Sequence, residues 1–470
     1  MILEQIYTNC LAHAAYYLES NGEAAIFDPL RETLPYIEKA KQNNAKINFV
    51  FETHFHADFV SGHLDLAAQC GAKIVYGPTA KPQFDAIVAT DGQEFMVGQC
   101  KVKAIHTPGH TLESTVYLIH DEQGKETGLI SGDTLFIGDV GRPDLAQHVI
   151  ADLTQDKLAG MLYHSLRNKI MPLNDDVIIY PNHGAGSACG KNMSKETKDT
   201  LGNQKKVNYA LNLNLSEDEF KRQLLDGLTA PPGYFPSNVL MNIKGYSSFD
   251  DVLKKSMKPL TIDEFEHLIE FEKVLILDTR KADDFSLGFI PSSINIGLEG
   301  NFAQWVGEVI KNVNQKMLLV TDEGKELEAI TRLSRIGFDS VQGYLKGGFE
   351  TWKNSLKPID KVNRISAQDL EDMYEQHPLI FDVRKASEFD SKHIINSENT
   401  PLNQLHQYFA QFPKATPFIV ICAGGYRSMI AASILKQNGW HQFTDVEGGF
   451  AAVEKTSIPC TKFICPTTML

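Results

Sequence analysis

The segment at residues 53–59, Thr-His-Phe-His-Ala-Asp-Phe, carries three side chains that bind metals. It follows the apolar run 47–51, which predicts a buried strand. Side chains two residues apart on extended chain point to the same side, so His54 and His56 can converge on one point, close to Asp58. This spacing at the end of a strand is typical of a metal site.

Three further residues of the same chemical kind lie at predicted turns or strand ends. His110 ends the sequence Thr-Pro-Gly-His, and His183 lies in a second turn marked by proline and glycine. Asp133 directly follows the apolar run 128–132. Each of them alone would be an ordinary turn histidine or capping aspartate. Several together at strand ends indicate that the chain binds a metal.

In this order the motifs HxHxD, TPGH, SGD and PxHG resemble those of the metallo-β-lactamase superfamily, over roughly the first half of the chain. Binuclear members of that superfamily carry a histidine directly after the HxHxD aspartate, and this chain has Phe59 there. A phenyl ring cannot bind a metal, so the second metal position lacks a ligand. The sequence therefore argues for a single ion rather than the two-zinc centre of the hydrolases.

With Phe59 at this position, the chain resembles the persulfide dioxygenase branch of the superfamily. The resemblance implies one mononuclear Fe(II) per chain, held by His54, His110 and Asp133. Two histidines and one carboxylate with open positions form the ligand set of a non-haem iron that binds O2 and substrate together. Ligand identity does not exclude zinc, which stays open as a substitute.

The remaining polar residues of these motifs have supporting roles in this interpretation. His56, Asp58 and His183 would orient the ligands and shape the pocket, or serve an alternative metal. Arg142, in a Gly-Arg-Pro-Asp segment that resembles the branch's GR motif, has two interpretations: contact with an anionic substrate, or a structural salt bridge. Cys189 also has two, a sulfur-accepting or substrate-gating group or a buried thiol.

The length and composition indicate an acidic protein of several domains. The 470 residues allow three domains, and 43% hydrophobic with 22% charged residues is near the globular average. A net charge of −14 without a long basic run argues against nucleic acid or a membrane surface as partner. The sequence has neither a signal-like N-terminus nor a run of about 20 apolar residues, so we expect a cytoplasmic protein. Its 7 scattered cysteines predict no disulfide framework.

The second half of the chain repeats itself at a spacing of about 100 residues, which indicates a domain duplication. Residues 275–280 (Leu-Ile-Leu-Asp-Thr-Arg) recur at 379–384 (Leu-Ile-Phe-Asp-Val-Arg), and a Gly-Gly-Phe sequence closes each copy. Apolar strands alternating with amphipathic helices predict two α/β units with central parallel sheets.

The second copy contains a loop with the chemistry of a sulfur carrier. A predicted strand delivers Cys422 into a turn containing Gly424 and Gly425, followed by Arg427 at the start of a helix. The two glycines would let backbone N–H groups face the sulfur. The helix N-terminus and Arg427 would then stabilise a thiolate or persulfide. This copy resembles a rhodanese, a sulfurtransferase domain, over its whole length.

The first copy resembles the same fold without its nucleophile. Where the second copy has Cys422, the first has Thr321, followed by Asp322 and Glu323. This acidic loop would repel anions, so we interpret the copy as an inactive domain that acts as a spacer or interface.

These observations predict an α/β protein with an N-terminal metallo-β-lactamase αββα sandwich followed by two rhodanese-like α/β domains. The predicted boundaries are 1–235 for the dioxygenase domain, 236–357 for the inactive rhodanese-like domain, 358–460 for the active rhodanese domain and 461–470 for a tail. The first boundary rests on the segment Ala-Pro-Pro-Gly at 230–233, which breaks regular structure.

The resemblance implies oxidation of a low-molecular-weight thiol persulfide by O2 to sulfite. Cys422 would then transfer sulfane sulfur to an acceptor such as sulfite, giving thiosulfate. One alternative is a zinc-dependent thioester hydrolase like glyoxalase II, and another is a rhodanese pair that only carries sulfur or docks a partner. The thiol carrier and the oligomeric state, including a homo-oligomer, stay open.

Overall fold

The computed structural model describes residues 1–145, 153–191, 193–228 and 230–464. The chain forms two compact units, and residues of the second half contribute to both. The first contains Met1–Val252, Lys311–Val313 and Thr331–Asp339, and the second contains Leu253–Ile310, Asn314–Ile330 and Ser340–Leu470. Within the described residues, no helix has the length and apolar character needed to cross a membrane.

The first unit contains two sheets of six strands each. The strands of the first sheet, which are neighbours in chain order, are β1 (Ile2–Thr8), β2 (His13–Ser20), β3 (Glu23–Phe27), β4 (Lys46–Phe51), β5 (Lys73–Tyr76) and β6 (Ile87–Val88). The strands of the second sheet are β7 (Glu94–Val97), β8 (Cys100–His106), β9 (Thr115–His120), β10 (Glu126–Gly132), β11 (Ile178–Pro181) and β12 (Asp199–Thr200). β3 to β6 run parallel, as do β10 and β11, so their carboxyl ends share one edge in each sheet.

Helices cover the outer face of each sheet. They are α1 (Leu34–Gln42), α2 (His63–Cys70), α3 (Gln155–Ser165), α4 (Leu201–Val207), α5 (Glu217–Leu225) and α6 (Phe235–Lys244), followed by α7 (Phe249–Ser256), which continues into the second unit. One apolar core joins the two sheets, with Phe27 and Phe51 from the first facing Tyr117 and Ile130 from the second. Separate cores lie between each sheet and its helices. These layers confirm the predicted αββα sandwich.

The first unit continues beyond the predicted boundary at residue 235. The side chain of Asn242 donates hydrogen bonds to the carbonyls of His56 (2.8 Å) and Phe59 (2.9 Å). The Tyr234 hydroxyl donates to the carbonyl of Asp58 at 3.3 Å. Asn242 of α6 and Tyr234, the residue before α6, therefore stabilise the turn that carries the HxHxD motif. The domain boundaries themselves remain predictions.

The second unit contains two sheets of five strands each, every pair of which is parallel. The first has the order β13-β17-β16-β14-β15, with β13 (Pro259–Leu260), β14 (Leu275–Asp278), β15 (Ile294–Asn295), β16 (Met317–Val320) and β17 (Val341–Leu345). The second has the order β18-β22-β21-β19-β20, with β18 (Asn363–Ile365), β19 (Ile380–Asp382), β20 (Ser397–Asn399), β21 (Phe418–Ile421) and β22 (Phe443–Val446). The two sheets have the same strand order, which confirms the predicted domain duplication.

The helices of this unit alternate with its strands. They are α8 (Ile262–Glu272), α9 (Ala282–Leu287), α10 (Phe302–Val309), α11 (Glu326–Arg335), α12 (Gly348–Asn354), α13 (Ala367–Met373), α14 (Ala386–Ser391), α15 (Tyr426–Gln437) and α16 (Gly449–Val453). The duplication extends to side-chain contacts. Arg280 pairs with Asp278 and lies over Phe349, and the corresponding contacts of Arg384 are with Asp382 and Phe450. The conserved geometry shows that both copies have the same internal framework.

Candidate functional sites

Three strand ends bring one group of metal-binding side chains together. His54 follows β4, His110 follows β8 and Asp133 follows β10. All three are at least 98% buried, and their ligand atoms lie within 4.8 Å of one another. The Asp133 Oδ2 atom is 3.4 Å from Nε2 of His110 and 4.0 Å from Nε2 of His54. The structure thus brings together the three residues to which the sequence assigned the iron.

Hydrogen bonds orient the two imidazoles so that Nε2 of each faces the cluster. Nδ1 of His110 donates to the carbonyl of Arg142 at 2.7 Å, which leaves Nε2 as the lone-pair nitrogen. Nδ1 of His54 lies 3.0 Å from the hydroxyl of Thr53. Burial and the neighbouring imidazoles, chiefly His56 and His110, hold the pKa of His54 well below its usual value. A neutral His54 is the form that binds a metal.

The residues of this cluster fit a divalent metal. Neither carboxylate oxygen of Asp133 has a hydrogen-bond partner among the described residues, although both are buried. A buried carboxylate without partners is costly, and a cation would satisfy it. Two neutral imidazoles and one carboxylate leave positions open for exogenous ligands. The donor set agrees with iron and with zinc.

His56 turns away from this cluster to a second group of acids. Its Nε2 lies 2.9 Å from Asp28 Oδ1 and 3.4 Å from Glu52 Oε2. Burial lowers the pKa of His56, but these two carboxylates outweigh it and raise the pKa well above the usual value. Asp28 also accepts a 2.7 Å hydrogen bond from the backbone N–H of Thr53. His56 and the backbone next to His54 thus share Asp28 as a partner, and the orienting role of His56 remains a prediction.

Sequence reasoning did not identify Asp28 or Glu52. Both directly follow apolar strands, β3 and β4, and this is the signal that singled out Asp133. Asp28 is far along the chain from the metal-binding motifs, and Glu52, two residues before His54, lies just outside the HxHxD motif. Both therefore appear as ordinary acids at strand ends until the fold places them beside His56.

A third buried group contains Asp58, His183 and Cys189, again with ligand atoms within 4.8 Å of one another. Nε2 of His183 is 3.4 Å from Asp58 Oδ2 and 3.6 Å from Asp133 Oδ1, so this group adjoins the first. Burial, with the Asp58 and Asp133 carboxylates, raises the pKa of the Cys189 thiol well above its usual value. Phe59 is fully buried against the rings of His13 and His56. Cys189 is therefore near the metal cluster, as the sequence suggested.

The sequence left two interpretations open for Arg142, and the structure shows the salt bridge. Its Nε and Nη2 donate to the two carboxylate oxygens of Asp144 at 2.6 and 2.5 Å, and Nη1 donates to the carbonyl of Ala188 at 3.3 Å. Its backbone N–H donates to the carbonyl of Cys189 at 3.0 Å. Arg142 is 95% buried. Arg142 therefore joins the His110 turn to the Cys189 loop. Its contact with an anionic substrate remains a prediction.

A largely apolar cavity of about 390 Å³ opens beside His110. Its apolar lining includes Phe55, Leu112, Leu145, Val239 and Ile243, and Lys81 and Glu113 add one charge of each sign. Glu113 also accepts a 3.0 Å hydrogen bond from the backbone N–H of Phe55, next to His54. The cavity has the size and apolar character of a small-molecule site.

In the second unit, Cys422 lies at the end of β21 and before α15, as predicted. Its Sγ accepts a hydrogen bond from the backbone N–H of Gly425 at 3.1 Å. Gly425 has a φ of 98°, in the left-handed region that favours glycine. Gly424 does not share this conformation, and a Cβ added there would meet nothing within 4 Å. The positive φ thus favours glycine at position 425, and the contribution of Gly424 remains a prediction.

Arg427 and Tyr426 attach the loop to its surroundings. The Arg427 guanidinium donates to both carboxylate oxygens of Glu388, at 2.6 and 2.7 Å. The Tyr426 hydroxyl donates to the carbonyl of Gly297, in the first rhodanese-like copy, at 2.8 Å. Arg427 therefore has a carboxylate partner that sequence reasoning missed, and the first copy contacts the loop of the second.

The corresponding position of the first copy has no thiol. Thr321 follows β16 and is buried, and its hydroxyl has no hydrogen-bond partner among the residues described. Of the other cysteines, Cys10, Cys70 and Cys460 are half-buried and Cys100 is buried, and Cys465 lies outside the described residues. Within the described part, Cys422 is thus the cysteine placed at a rhodanese-type loop.

Family models agree with this division of the chain. The Metallo-beta-lactamase superfamily model matches residues 8–183, and the Rhodanese-like domain model matches residues 261–355 and 366–456. Among solved structures, a metallo-beta-lactamase from Staphylococcus aureus is 30% identical with a TM-score of 0.64, covering 73% of this chain and 98% of its own.

Curated relatives divide between two activities. A hydroxyacylglutathione hydrolase of Tolumonas auensis is 31% identical over 36% of this chain, and the match spans 60% of the hydrolase. The persulfide dioxygenase ETHE1 of Homo sapiens is 28% identical over 39% of this chain and 68% of its own length. The chain thus spans about 60% of the length of the hydrolase it matches. By the structure-wide match and the family models, this chain belongs to the metallo-β-lactamase superfamily and carries tandem rhodanese-like domains after its lactamase-fold domain.

Proposed function

We propose that this protein is a persulfide dioxygenase with a coupled rhodanese activity. The buried group of His54, His110 and Asp133 is the observation that carries the proposal, because two imidazoles and one carboxylate leave open positions. Iron bound there would supply O2 activation for the oxidation R–S–SH + O2 + H2O → R–SH + SO3²⁻ + 2H⁺. The similarity to a human persulfide dioxygenase supports this choice.

The residues around this centre have distinct tasks in the reaction. His54, His110 and Asp133 would hold the metal, while the carbonyl of Arg142 keeps His110 in the ligand-competent tautomer. The apolar cavity beside His110 would accept the organic part of the persulfide and exclude water from it. Lys81, at the cavity, can pair with an anionic group of the carrier thiol.

The second step of the proposal belongs to Cys422. Its thiolate would attack the outer sulfur of a persulfide, releasing R–SH and leaving sulfane sulfur on the enzyme. The N–H of Gly425 donates to Sγ and stabilises negative charge there. Sulfite would then take that sulfur as thiosulfate and regenerate the thiol. The second copy would thus consume the product of the first unit.

A zinc-dependent hydrolase of glutathione thioesters is the second candidate, because several curated relatives are hydroxyacylglutathione hydrolases. The two candidates differ in metal and in oxygen demand. Elemental analysis, O2 consumption with glutathione persulfide or another thiol persulfide, and hydrolysis of S-lactoylglutathione would separate them. Iron-dependent O2 uptake with sulfite formation supports the dioxygenase, whereas thioester hydrolysis without O2 uptake on any persulfide refutes it.

A further inference from the structure

Arg364 has one donor nitrogen next to the Cys422 loop that its own ion pairs do not use. Its Nε donates to Asp445 Oδ2 at 3.0 Å, and its Nη1 donates to Asp283 Oδ1 at 2.5 Å. Nη2 has no hydrogen-bond partner among the residues that the structure describes. A Cβ built on Gly425 would lie 3.7 Å from this Nη2, and the Gly425 N–H donates to Sγ of Cys422 at 3.1 Å. A positively charged donor therefore adjoins the loop that surrounds the sulfur.

The arginine that the sequence assigned to this loop is already bound. Arg427 donates from both Nη atoms to the Glu388 carboxylate, at 2.6 and 2.7 Å. An anion at Cys422 would have to break this bidentate pair to reach Arg427. Nη2 of Arg364 is available to an anion without that cost.

The chain's own repeat shows that the Arg364–Asp445 pair is not part of the shared framework. These two residues are partners in the β18–β22 pair, and the corresponding partners in the β13–β17 pair are Pro259 and Tyr344. Tyr344 and Asp445 each lie three residues before the Gly-Gly sequence that closes the copy. The framework arginine–aspartate pair described above is, by contrast, present in both copies. The copy that has the thiol is thus the copy that has this arginine and its buried carboxylate.

Sulfur transfer at Cys422 involves an oxyanion of sulfur in either direction. With thiosulfate as donor, the thiolate bonds to the outer sulfur, the S–S bond of thiosulfate breaks, and its electron pair leaves with sulfite. In the reverse direction sulfite takes the outer sulfur of the Cys422 persulfide and leaves as thiosulfate. Both small molecules carry oxyanion charge, and a guanidinium binds such oxygens through charge-assisted hydrogen bonds.

We propose that Arg364 binds the oxygens of thiosulfate and sulfite at the Cys422 loop, and that Asp283 of the first copy competes with them for the guanidinium. The Asp283 side chain is 81% exposed, so it can leave the pair at little cost. The Asp445 side chain is fully buried and stays as the permanent counter-charge. This inference rests on the proposed sulfur transfer, and it gives the first copy, which lacks the thiol, a part in anion affinity.

Steady-state cyanolysis of thiosulfate tests the role of Arg364, because only one of the two substrates carries sulfur-bound oxygens. We expect Arg364→Gln to raise the KM for thiosulfate at least about tenfold, since a hydrogen bond to a charged group is lost. The KM for cyanide should stay near wild type, which a merely structural defect would not achieve. Arg364→Lys should give a smaller rise, because it keeps a cation beside the buried Asp445, and it decides the question if Arg364→Gln does not fold.

The competition is tested by a change in the opposite direction. Asp283→Asn should lower the KM for thiosulfate about twofold or more, as expected when an exposed ion pair no longer occupies the guanidinium. Asp284→Asn is the matched control, since it makes the same charge change one residue later in α9, and it should leave this KM unchanged. Equal effects of the two variants would overturn the competition.

An unchanged KM for thiosulfate in both Arg364 variants would overturn the anion site. A rise in KM with glutathione persulfide as donor, but not with thiosulfate, would also overturn it, because Arg364 would then recognise the carrier thiol. Calorimetry of thiosulfate binding to Cys422→Ser needs no turnover, and Arg364→Gln or Arg364→Lys added to that variant should weaken the binding. If wild type transferred no sulfur but this weakening were observed, the proposed transfer would fail while the anion site stood.

Discussion

His110 is one of the three residues that would hold a metal at the first cluster. Its Nε2 is 3.4 Å from Asp133 Oδ2, and its Nδ1 is fixed by the Arg142 carbonyl. We expect His110→Ala to lose the first-site metal and to lower O2 uptake at least about 100-fold, since removal of a ligand should cost more than an outer-shell change. Sulfur transfer from thiosulfate through Cys422 should stay near wild type.

The matched control is His164→Ala, because the His164 side chain is 60% exposed and its Nε2 pairs with Glu217 at the surface. Its metal content and O2 uptake should equal those of wild type. Elemental analysis and an oxygen electrode check both variants. Full O2 uptake by metal-depleted His110→Ala would contradict the assignment of the centre.

A substitution at Asp144 tests whether Arg142 positions the metal ligands or binds the substrate. Asp144→Asn removes the negative charge that neutralises this buried guanidinium, and breaking a buried pair costs roughly 3–5 kcal/mol. Because Arg142 also holds His110 and Cys189 through its backbone, we expect lower metal retention and kcat with little change in KM. Denaturant unfolding and steady-state kinetics measure these effects.

The exposed pair between Asp175 and Lys205 offers a comparison, since the Asp175 side chain is 70% exposed. Asp175→Asn should leave the free energy of unfolding close to that of wild type, because an exposed ion pair contributes little. If Asp144→Asn instead raised KM for the persulfide and left metal retention and kcat unchanged, Arg142 would be a substrate-binding residue after all.

At the scale of elements, the loop between β21 and α15 depends on one glycine. Gly425 has a φ of 98° and donates its N–H to Sγ of Cys422, so an added Cβ would strain the loop at that point. We expect Gly425→Ala to lower thiosulfate sulfur transfer by about tenfold or more, from strain of roughly 1–3 kcal/mol at the functional loop.

Gly424→Ala is the matched control in the same loop, because a Cβ there meets nothing within 4 Å. It should retain most of the transfer rate, and O2 uptake should be unaffected in both variants. Cyanolysis of thiosulfate measures the transfer. Equal losses in the two variants would mean that the loop needs both glycines, as the sequence suggested.

Strands and their ends could be predicted from the sequence because local patterns determine them. The apolar runs became β4 and β10, and the chemically active side chains follow them. The sequence Ser-Glu-Asp-Glu at 216–219 is a local capping-box signal, and the capping box begins α5, with Phe220 and Leu224 buried. Cys189 was harder to place, because its loop has no periodicity and is positioned by contacts with Arg142, 47 residues earlier in the numbering. Long-range contacts of this kind leave no local signal.

At the scale of the whole molecule, the first rhodanese-like copy gives structural support to the second. Tyr426, next to the Cys422 loop, donates to the carbonyl of Gly297, and the Ser433 hydroxyl of α15 accepts from the backbone N–H of Asn295. The sequence suggested a spacer or interface for the first copy, and these contacts agree with an interface. A domain without a nucleophile can therefore still contribute to sulfur transfer by fixing the helix that follows the nucleophile.

The proposed coupling requires sulfite from the metal centre to become the acceptor for sulfur on Cys422. Because both sites share a chain, one site's product is present at a raised effective concentration for the other. With abundant persulfide, wild type should release mainly thiosulfate, whereas Cys422→Ser should accumulate sulfite at nearly unchanged O2 uptake. Asp322→Ala, in the loop of the inactive copy, is the control and should behave as wild type.

Chromatography of sulfite and thiosulfate at matched turnover measures this partition. Thiosulfate also forms when sulfite reacts with persulfide in solution, so a reaction without enzyme sets the background to subtract. His110→Ala should make neither product from persulfide and O2, yet it should still form thiosulfate when sulfite is added, because Cys422 is intact. Equal ratios of sulfite to thiosulfate in wild type and Cys422→Ser would show that the two sites work independently, since the acceptor step would then not pass through the thiol.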